Sequence, residues 1–334
     1  MRWLGLLLLL LPFLRGAAVG SGPRDQSAPA VQAQASPTSE HPGKYPTSPS
    51  AGESEIESHS VKPDLIPDTN GALSQEQMQK LFRAVADKDL ENDKKQHDYT
   101  YVERDEEHRL DGKGEVKSTE VKTSEVMELY GEQVERLIEK DDKPLSEKDA
   151  AKEEERIQKL ITRRKNESEN ERRKRAEKEE KDREEGRKFV REVADAYNFK
   201  LAGTERLDGR EVWVIDGEPR PGYEPHLKGA KFLPKFRGRI WIDKNETQWT
   251  KLDIQCIDTV SLGWFLARVH KGSRIVIEQT WVNDEVWLPK HISLKVDVRV
   301  ALLKEFNVEQ DQTYRNYKKF RASARIVGIG EVKP

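Results

Sequence analysis

The sequence predicts an α+β fold that is mostly β: a curved antiparallel half-barrel of about 10–11 strands, with helices covering its concave face. Three observations predict it. First, residues 292–302 alternate strictly: Ile292, Leu294, Val296, Val298, Val300 and Leu302 fall on one side of an extended chain, and Ser293, Lys295, Asp297, Arg299 and Ala301 on the other. Successive side chains of a strand point to opposite faces, so this strand has one dry and one wet face. Burial on both faces would have given a continuous apolar run. Second, short turn signals such as Leu207-Asp-Gly209 and Val282-Asn-Asp284 join consecutive strand-like runs, which is the pattern of a meander. Third, only a few stretches carry helical periodicity, and they supply few large apolar side chains.

The elements follow in order. Residues 1–20 read as a secretory signal, with Arg2 as the positive start, Leu4 to Leu14 as the apolar core and Ala18-Val19-Gly20 as a small-residue exit. The apolar run is too short for a membrane span. Residues 21–72 are rich in Ser, Pro, Ala, Gly and Glu, a composition that cannot offset chain entropy and predicts a flexible tether. A folded domain is expected over 73–330, interrupted by a charged helical insertion at about 146–196. Its first helix spans Leu73 to about Leu90, capped by Ser74, with Met78, Leu81, Phe82 and Val85 on one stripe. Strands follow at Tyr99–Arg104, Glu115–Leu129 and Gln133–Glu139, the first two joined by the turn Leu110-Asp-Gly-Lys-Gly114. Ser146 opens a second helix, in which Ile157, Leu160 and Ile161 can pack on the sheet. Residues 163–188 carry almost only charge and lack the apolar positions of a coiled-coil seam. Pairs such as Glu169–Arg173 and Glu177–Lys181 support a solvated helix by only about 0.2–0.5 kcal/mol each, so an exposed, partly frayed charged helix or loop is expected. Apolar residues return at Phe189, Val190, Val193, Ala194 and Tyr197. The remainder is β: Phe199–Arg206, Glu211–Asp216, Arg239–Asp243, Trp249–Ile257, Arg274–Val282, Glu285–Leu302 and Glu305–Tyr317, with a Pro-rich loop over 219–235.

Composition excludes several function classes. The chain has 334 residues, 35% hydrophobic and 36% charged, with a net charge of −2 and both signs abundant. Nucleic acid needs a clustered basic excess, so it is not expected as a partner. The single Cys256 allows no internal disulfide and alternates with Leu252 and Ile254, as a small buried hydrophobe would. The seven histidines have no metal-ligand spacing, and neither a nucleophile elbow nor a phosphate-cradling glycine loop occurs. No isolated carboxylate pair sits in an apolar setting. The expectation is a non-enzymatic protein with no cofactor and no metal.

The concave face is the candidate site. Its lining is predicted as Ile240, Ile242, Leu252, Ile254, Ile275, Ile277, Ile292, Leu294, Val296, Val298, Val300, Phe306 and Val308. Burial of one such side chain is worth roughly 1.5–3 kcal/mol whether protein or ligand covers it, so a filled core and a ligand cavity are both open. The sparse helical supply of apolar residues favours a cavity suited to a fatty acyl chain. A second candidate is the apolar connection Thr259–Val269. Leu262, Trp264, Phe265 and Leu266 form either a short helix that caps the barrel or an exposed lip for a membrane or partner. Arg268, Lys271 and Arg274 follow as a basic rim for phosphate or carboxylate.

Several segments carry a family resemblance. The strand Gly238-Arg-Ile-Trp-Ile-Asp243, then Trp249 and Ile254, and Val282-Asn-Asp-Glu-Val-Trp-Leu-Pro289 before a long alternating strand together resemble the periplasmic LolA/LolB-like outer-membrane lipoprotein-sorting proteins. Tyr99-Thr-Tyr-Val-Glu-Arg104, Arg136-Leu-Ile-Glu-Lys140 and Lys271-Gly-Ser-Arg274 are similar to segments of a bacterial branch of that superfamily. The resemblance covers roughly residues 75–328. It implies an unclosed barrel with a helical lid, an apolar cavity for acyl chains of lipid or lipoprotein, and export to the periplasm of a Gram-negative-type bacterium. A monomer is expected, with a membrane or envelope partner protein for delivery. The charged insertion is long for such carriers, and their lid arginine matches no position here. In a bacterial source the glycosylation-like triplets Asn166-Glu-Ser168 and Asn245-Glu-Thr247 are chance. The rival reading is an envelope interaction or sensor module with the same fold and a filled core.

Overall fold

The computed structural model describes residues 65–130, 132–262, 267–300 and 304–320, so the expected signal segment over 1–20 and residues 21–64 lie outside the described residues. Ten long strands are β2 (Tyr99–Leu110), β3 (Val116–Leu129), β4 (Glu132–Lys140), β6 (Tyr197–Leu207), β7 (Arg210–Pro219), β8 (Phe236–Asp243), β9 (Trp249–Cys256), β12 (Arg274–Val282), β13 (Val286–Val300) and β14 (Lys304–Lys319). Four short ones join them: β1 (Ala72–Leu73), β5 (Lys143–Pro144), β10 (Val260–Leu262) and β11 (Ala267–Val269). The sheet order is β1-β6-β7-β8-β9-β12-β13-β14-β2-β3-β4-β5, with antiparallel neighbours and no pairing between its two ends, so the sheet is not closed into a barrel.

The meander expectation holds within β2–β5 and, apart from the β10–β11 hairpin that leaves β9 paired with β12, within β6–β14, and fails between the two blocks. The last strand pairs with the first long one, from Asn307 opposite Leu110 to Lys319 opposite Tyr99. Two hairpins use the turn chemistry their sequence declares. Asp208 and Gly209 lie at φ 48° and 82°, and Asn283 and Asp284 at 53° and 54°. Positive φ at both central residues matches the right-handed twist of the flanking strands.

Helix α1 (Gln75–Gln96) is closed at its start by a capping box between Ser74 and Gln77. Its stripe of Met78, Leu81, Phe82 and Val85 is buried. The Phe82 ring packs edge-on against Phe199, with centroids 5.2 Å apart. Phe199 in turn lies over Gly217, where any Cβ would meet the ring at 3.0 Å. At the far end Asn92 imitates a strand: its Nδ2 donates to the Trp287 carbonyl at 2.9 Å, and its Oδ1 accepts from the Trp287 N–H at 2.7 Å. The helix therefore runs across the sheet from β6 to β13.

Helix α2 (Glu147–Lys165) sets Ile157 against Leu129 and Val134. These residues alternate with Val126 and Glu128, so α2 lies on the reverse side of β3 and β4. Of the two expected forms of the charged segment, an exposed helix or a loop, helix α3 (Glu169–Ala196) is the helix. It is one continuous helix of 28 residues, broken from α2 only around Asn166–Ser168. Ser168 and Glu171 form a capping box at its start, and Ala194 and Ala196 are buried at its end. Between these anchors the pairs formed include Arg173–Glu177 at 3.7 Å and Lys181–Glu185 at 3.9 Å, with the cation first, opposite to the order expected. For the Thr259–Val269 connection, expected as either a capping helix or an exposed lip, the described flanks are strands. Its flanks form the β10–β11 hairpin, and β11 pairs with β13 in place of a capping helix. Trp264, Phe265 and Leu266 lie outside the described residues.

Candidate functional site: one face of the sheet

Register places the predicted lining on a single face. Ile240, Leu252, Ile277 and Ile292 are successive cross-strand partners. Ile254, Ile275 and Leu294 form a second row, and Val296 stands opposite Val308. Val298 pairs with Phe306; of Val300 and Phe306 only the backbone is described.

Burial divides this face. Ile242, Ile277, Ile292 and Val296 are buried. Ile240, Leu252, Ile254, Ile275, Leu294, Val298 and Val308 are only half-buried. Helix α1 covers the first end, where Asp89 anchors it: the carboxylate accepts from Gln248 Nε2 at 2.9 Å and Trp249 Nε1 at 3.1 Å. Burial pushes the Asp89 carboxyl above the usual carboxylate range.

The same face turns polar where β14 meets β2. Leu294 is followed across the sheet by Gln310 and Glu107, Ile292 by Gln312 and Asp105, and Tyr314 stands opposite Glu103. Burial first, and then the charges of Glu135 and Asp105, push the Glu103 carboxyl up to about 8. Burial also raises Asp105, against a 2.8 Å hydrogen bond from Gln310 Nε2 that favours its charged form. Tyr101 joins this wall with Tyr314 and Tyr317 at centroid distances of 5.8 and 6.0 Å, and its hydroxyl accepts from Gln133. These polar residues were not anticipated. The alternation of Tyr101, Glu103, Asp105 and Glu107 is visible in the sequence, but nothing local says that this strand adjoins the last one. The face thus sets an aliphatic wall beside a polar wall whose Glu103 carboxyl is pushed up by burial.

The predicted basic rim does not stand on this face. Arg268 lies opposite Arg299, in alternation with Val269 and Val298. Arg274 alternates with Ile275 and is held by Asp253 at 2.7 and 2.5 Å. Lys271 is exposed in the turn before β12. A cleft of about 720 Å³ also lies on the reverse side, lined by Arg239 bound to Asp216, Arg274 bound to Asp253, and Trp241. Cys256 is buried, as expected. His97, His108, His226 and His291 stand on separate elements, each beside a carboxylate. No helix among the described residues is long and apolar enough to cross a membrane.

No family model and no curated protein matches the sequence. Among solved structures, the fold is similar to an outer membrane lipoprotein-sorting protein domain from Vibrio parahaemolyticus, at 10% identity over 71% of this chain and 92% of that one, with a TM-score of 0.29. It is similar to a LolA superfamily protein from Nitrosomonas europaea, at 7% identity over 73% and 94% of the two chains and a TM-score of 0.28. MucB in the MucA/MucB complex of Pseudomonas aeruginosa matches at 8% identity over 73% and 99%, with a TM-score of 0.20. The likeness is one of fold: a mostly antiparallel, unclosed sheet with helices. At these TM-scores no residue role passes from those proteins to this one.

Proposed function

We propose that this protein is an exported periplasmic carrier that holds acyl chains of a lipid or lipoprotein against the half-buried aliphatic face, without chemistry. One observation carries the reading. Ile240, Leu252, Ile254, Ile275 and Leu294 are contiguous by register yet only half-buried, beside the buried Ile277 and Ile292. Full burial of such side chains is worth roughly 1.5–3 kcal/mol each, so a substantial part of that stabilisation remains for a ligand to supply. The neutral-leaning Glu103 and the amides of Gln310 and Gln312 suit the polar end of an ester or amide at the edge of the chains.

The test is native mass spectrometry of protein purified from its own cell envelope, followed by binding of a fluorescent fatty acid to delipidated protein. Bound lipid is expected, and Leu294→Arg should weaken fatty-acid binding by at least tenfold while leaving Tm within about 2 °C of wild type. Absence of bound lipid together with unchanged binding in Leu294→Arg would refute the carrier reading.

A second reading, an envelope interaction module, is favoured by one feature. The 169–188 part of α3 presents charge on all sides and buries none of its residues. Deletion of 167–188 would abolish partner capture under this reading and leave fatty-acid binding unchanged under the first.

A further inference from the structure

A separate cleft of about 280 Å³ forms where the β6–β7 and β12–β13 hairpins approach each other. It is lined in part by Arg210, Gln279, Trp281, Trp287 and Lys290. The two indoles pack together with centroids 5.2 Å apart. The Arg210 guanidinium lies 5.1 Å from the Trp281 ring centre and 5.4 Å from that of Trp287. Asp243, fully buried, fixes that guanidinium through contacts of 2.6 and 3.2 Å. The aromatic wall is therefore rigid before any ligand arrives.

Two polar atoms in this wall lack partners. Trp287 Nε1, a donor, and Gln279 Oε1, an acceptor, are both buried and unpaired. The residues that carry them are each 5% exposed. Buried polar groups are rarely left unsatisfied, so two of opposite kind, just beneath the surface on residues that line one cleft, point to a ligand that both donates and accepts. Most of the charges of the cleft are paired internally, with Asp284 the lining residue that has no ion pair among those described. Lys290 binds Asp208 at 2.8 Å, Lys251 binds Glu278 at 2.7 Å, and Arg210 binds Asp243. A charged ligand would have to compete with these pairs.

We infer that this cleft binds a neutral saccharide: a pyranose ring laid against half-buried Trp281, with one hydroxyl accepting from Trp287 Nε1–H and another donating to Gln279 Oε1. Sugars combine what the wall asks for, an apolar C–H face, hydroxyls that act as donor and acceptor, and no charge. The volume suits one or two rings, and a few fixed polar groups give the orientation. The inference is independent of the acyl-chain reading, since it uses neither the aliphatic face nor α1.

The experiment titrates the full chain with cellobiose, maltose and N,N′-diacetylchitobiose, following tryptophan fluorescence and the indole N–H resonances by NMR. At least one disaccharide is expected to shift the Trp287 Nε1–H signal, assigned with Trp287→Phe. Trp281→Ala should weaken that sugar at least tenfold and leave fatty-acid binding unchanged. Should Trp281→Ala fail to fold, Gln279→Leu, which removes the acceptor and keeps the bulk, should weaken binding severalfold. No shift with any of the three sugars, or equal affinity in the folded variants, overturns the inference. So does tighter binding of an anionic disaccharide such as a hyaluronan unit.

Discussion

Two halves of one sheet face dispose of the same surface in opposite ways. From β8 to β13, and at Val308 of β14, the face carries isoleucine, leucine and valine; further along β14 and on β2 it carries Gln310, Gln312, Tyr314, Glu103 and Asp105. The backbone ladder runs through both halves without interruption at their border, where Ile292 stands between Ile277 and Gln312. Pairing is thus indifferent to what the side chains are, and the character of the face is set strand by strand. What differs is who covers it. Helix α1 seals one end of the aliphatic half, and its remaining rows stay half-open.

The largest effect should separate covered from uncovered positions within the aliphatic half. Ile292 is buried and Leu294, two residues on, is not. Ile292→Ala leaves a cavity at a buried position and should cost about 2–5 kcal/mol, whereas Leu294→Ala has little cavity to leave and should cost under about 1.5 kcal/mol. Urea denaturation of the two variants measures the difference. Equal losses would mean that the uncovered row is packed by the protein after all.

The polar half should reveal itself through pH. The folded Glu103 titrates at about 8 against an ordinary 4.5. Below 4.5 the carboxyl is neutral in folded and unfolded chains alike, and it imposes no penalty. As pH rises from there towards 8, the unfolded chain ionises while the folded residue keeps its proton, so stability falls; above 8 both are charged and the loss stops growing. Glu103→Gln removes this dependence. Its Tm should match wild type near pH 4 and exceed it by roughly 2–6 °C at pH 8. Parallel Tm curves for the two proteins would show that Glu103 is solvated.

The two halves were unequally legible in the sequence. The aliphatic rows could be read because their period of two is local: Ile240 and Ile242, Leu252 and Ile254, Ile275 and Ile277, and the run from Ile292 each declare a dry face within a few residues. The Asp208-Gly209 and Asn283-Asp284 turns were legible for the same reason. The polar half was not, because it depends on β14 pairing with β2, strands about two hundred residues apart whose edges carry no sequence mark of each other. The charge of α3 left helix and loop both open, whereas its start is marked locally. Ser168-Glu-Asn-Glu171 is a capping-box pattern, and both of its reciprocal bonds form. Parity separates the basic residues from the aliphatic face: Arg274 precedes Ile275, so a strand that turns Ile275 towards that face must turn Arg274 away.

The smallest effect lies on the border itself. Gln310 follows Leu294 across the sheet and donates to Asp105 at 2.8 Å. Gln310→Leu extends the aliphatic wall by one strand and removes a hydrogen bond to a carboxylate, so two terms of opposite sign meet. The lost bond should cost about 1.5 kcal/mol at pH 7, and added apolar burial should return part of it, leaving a net loss of about 1 kcal/mol or less. Because Gln310 favours the charged form of Asp105, its removal should raise that carboxyl further, and the destabilisation should shrink as pH falls and the acid protonates in both proteins. Fatty-acid binding should strengthen by about two- to fivefold, the worth of a partly buried side chain added to the wall. Urea titrations at pH 4 and pH 7 measure the stability change, and fluorescent fatty-acid binding measures the gain. A weaker affinity in Gln310→Leu would place the polar end of the ligand, and not its chain, against this strand.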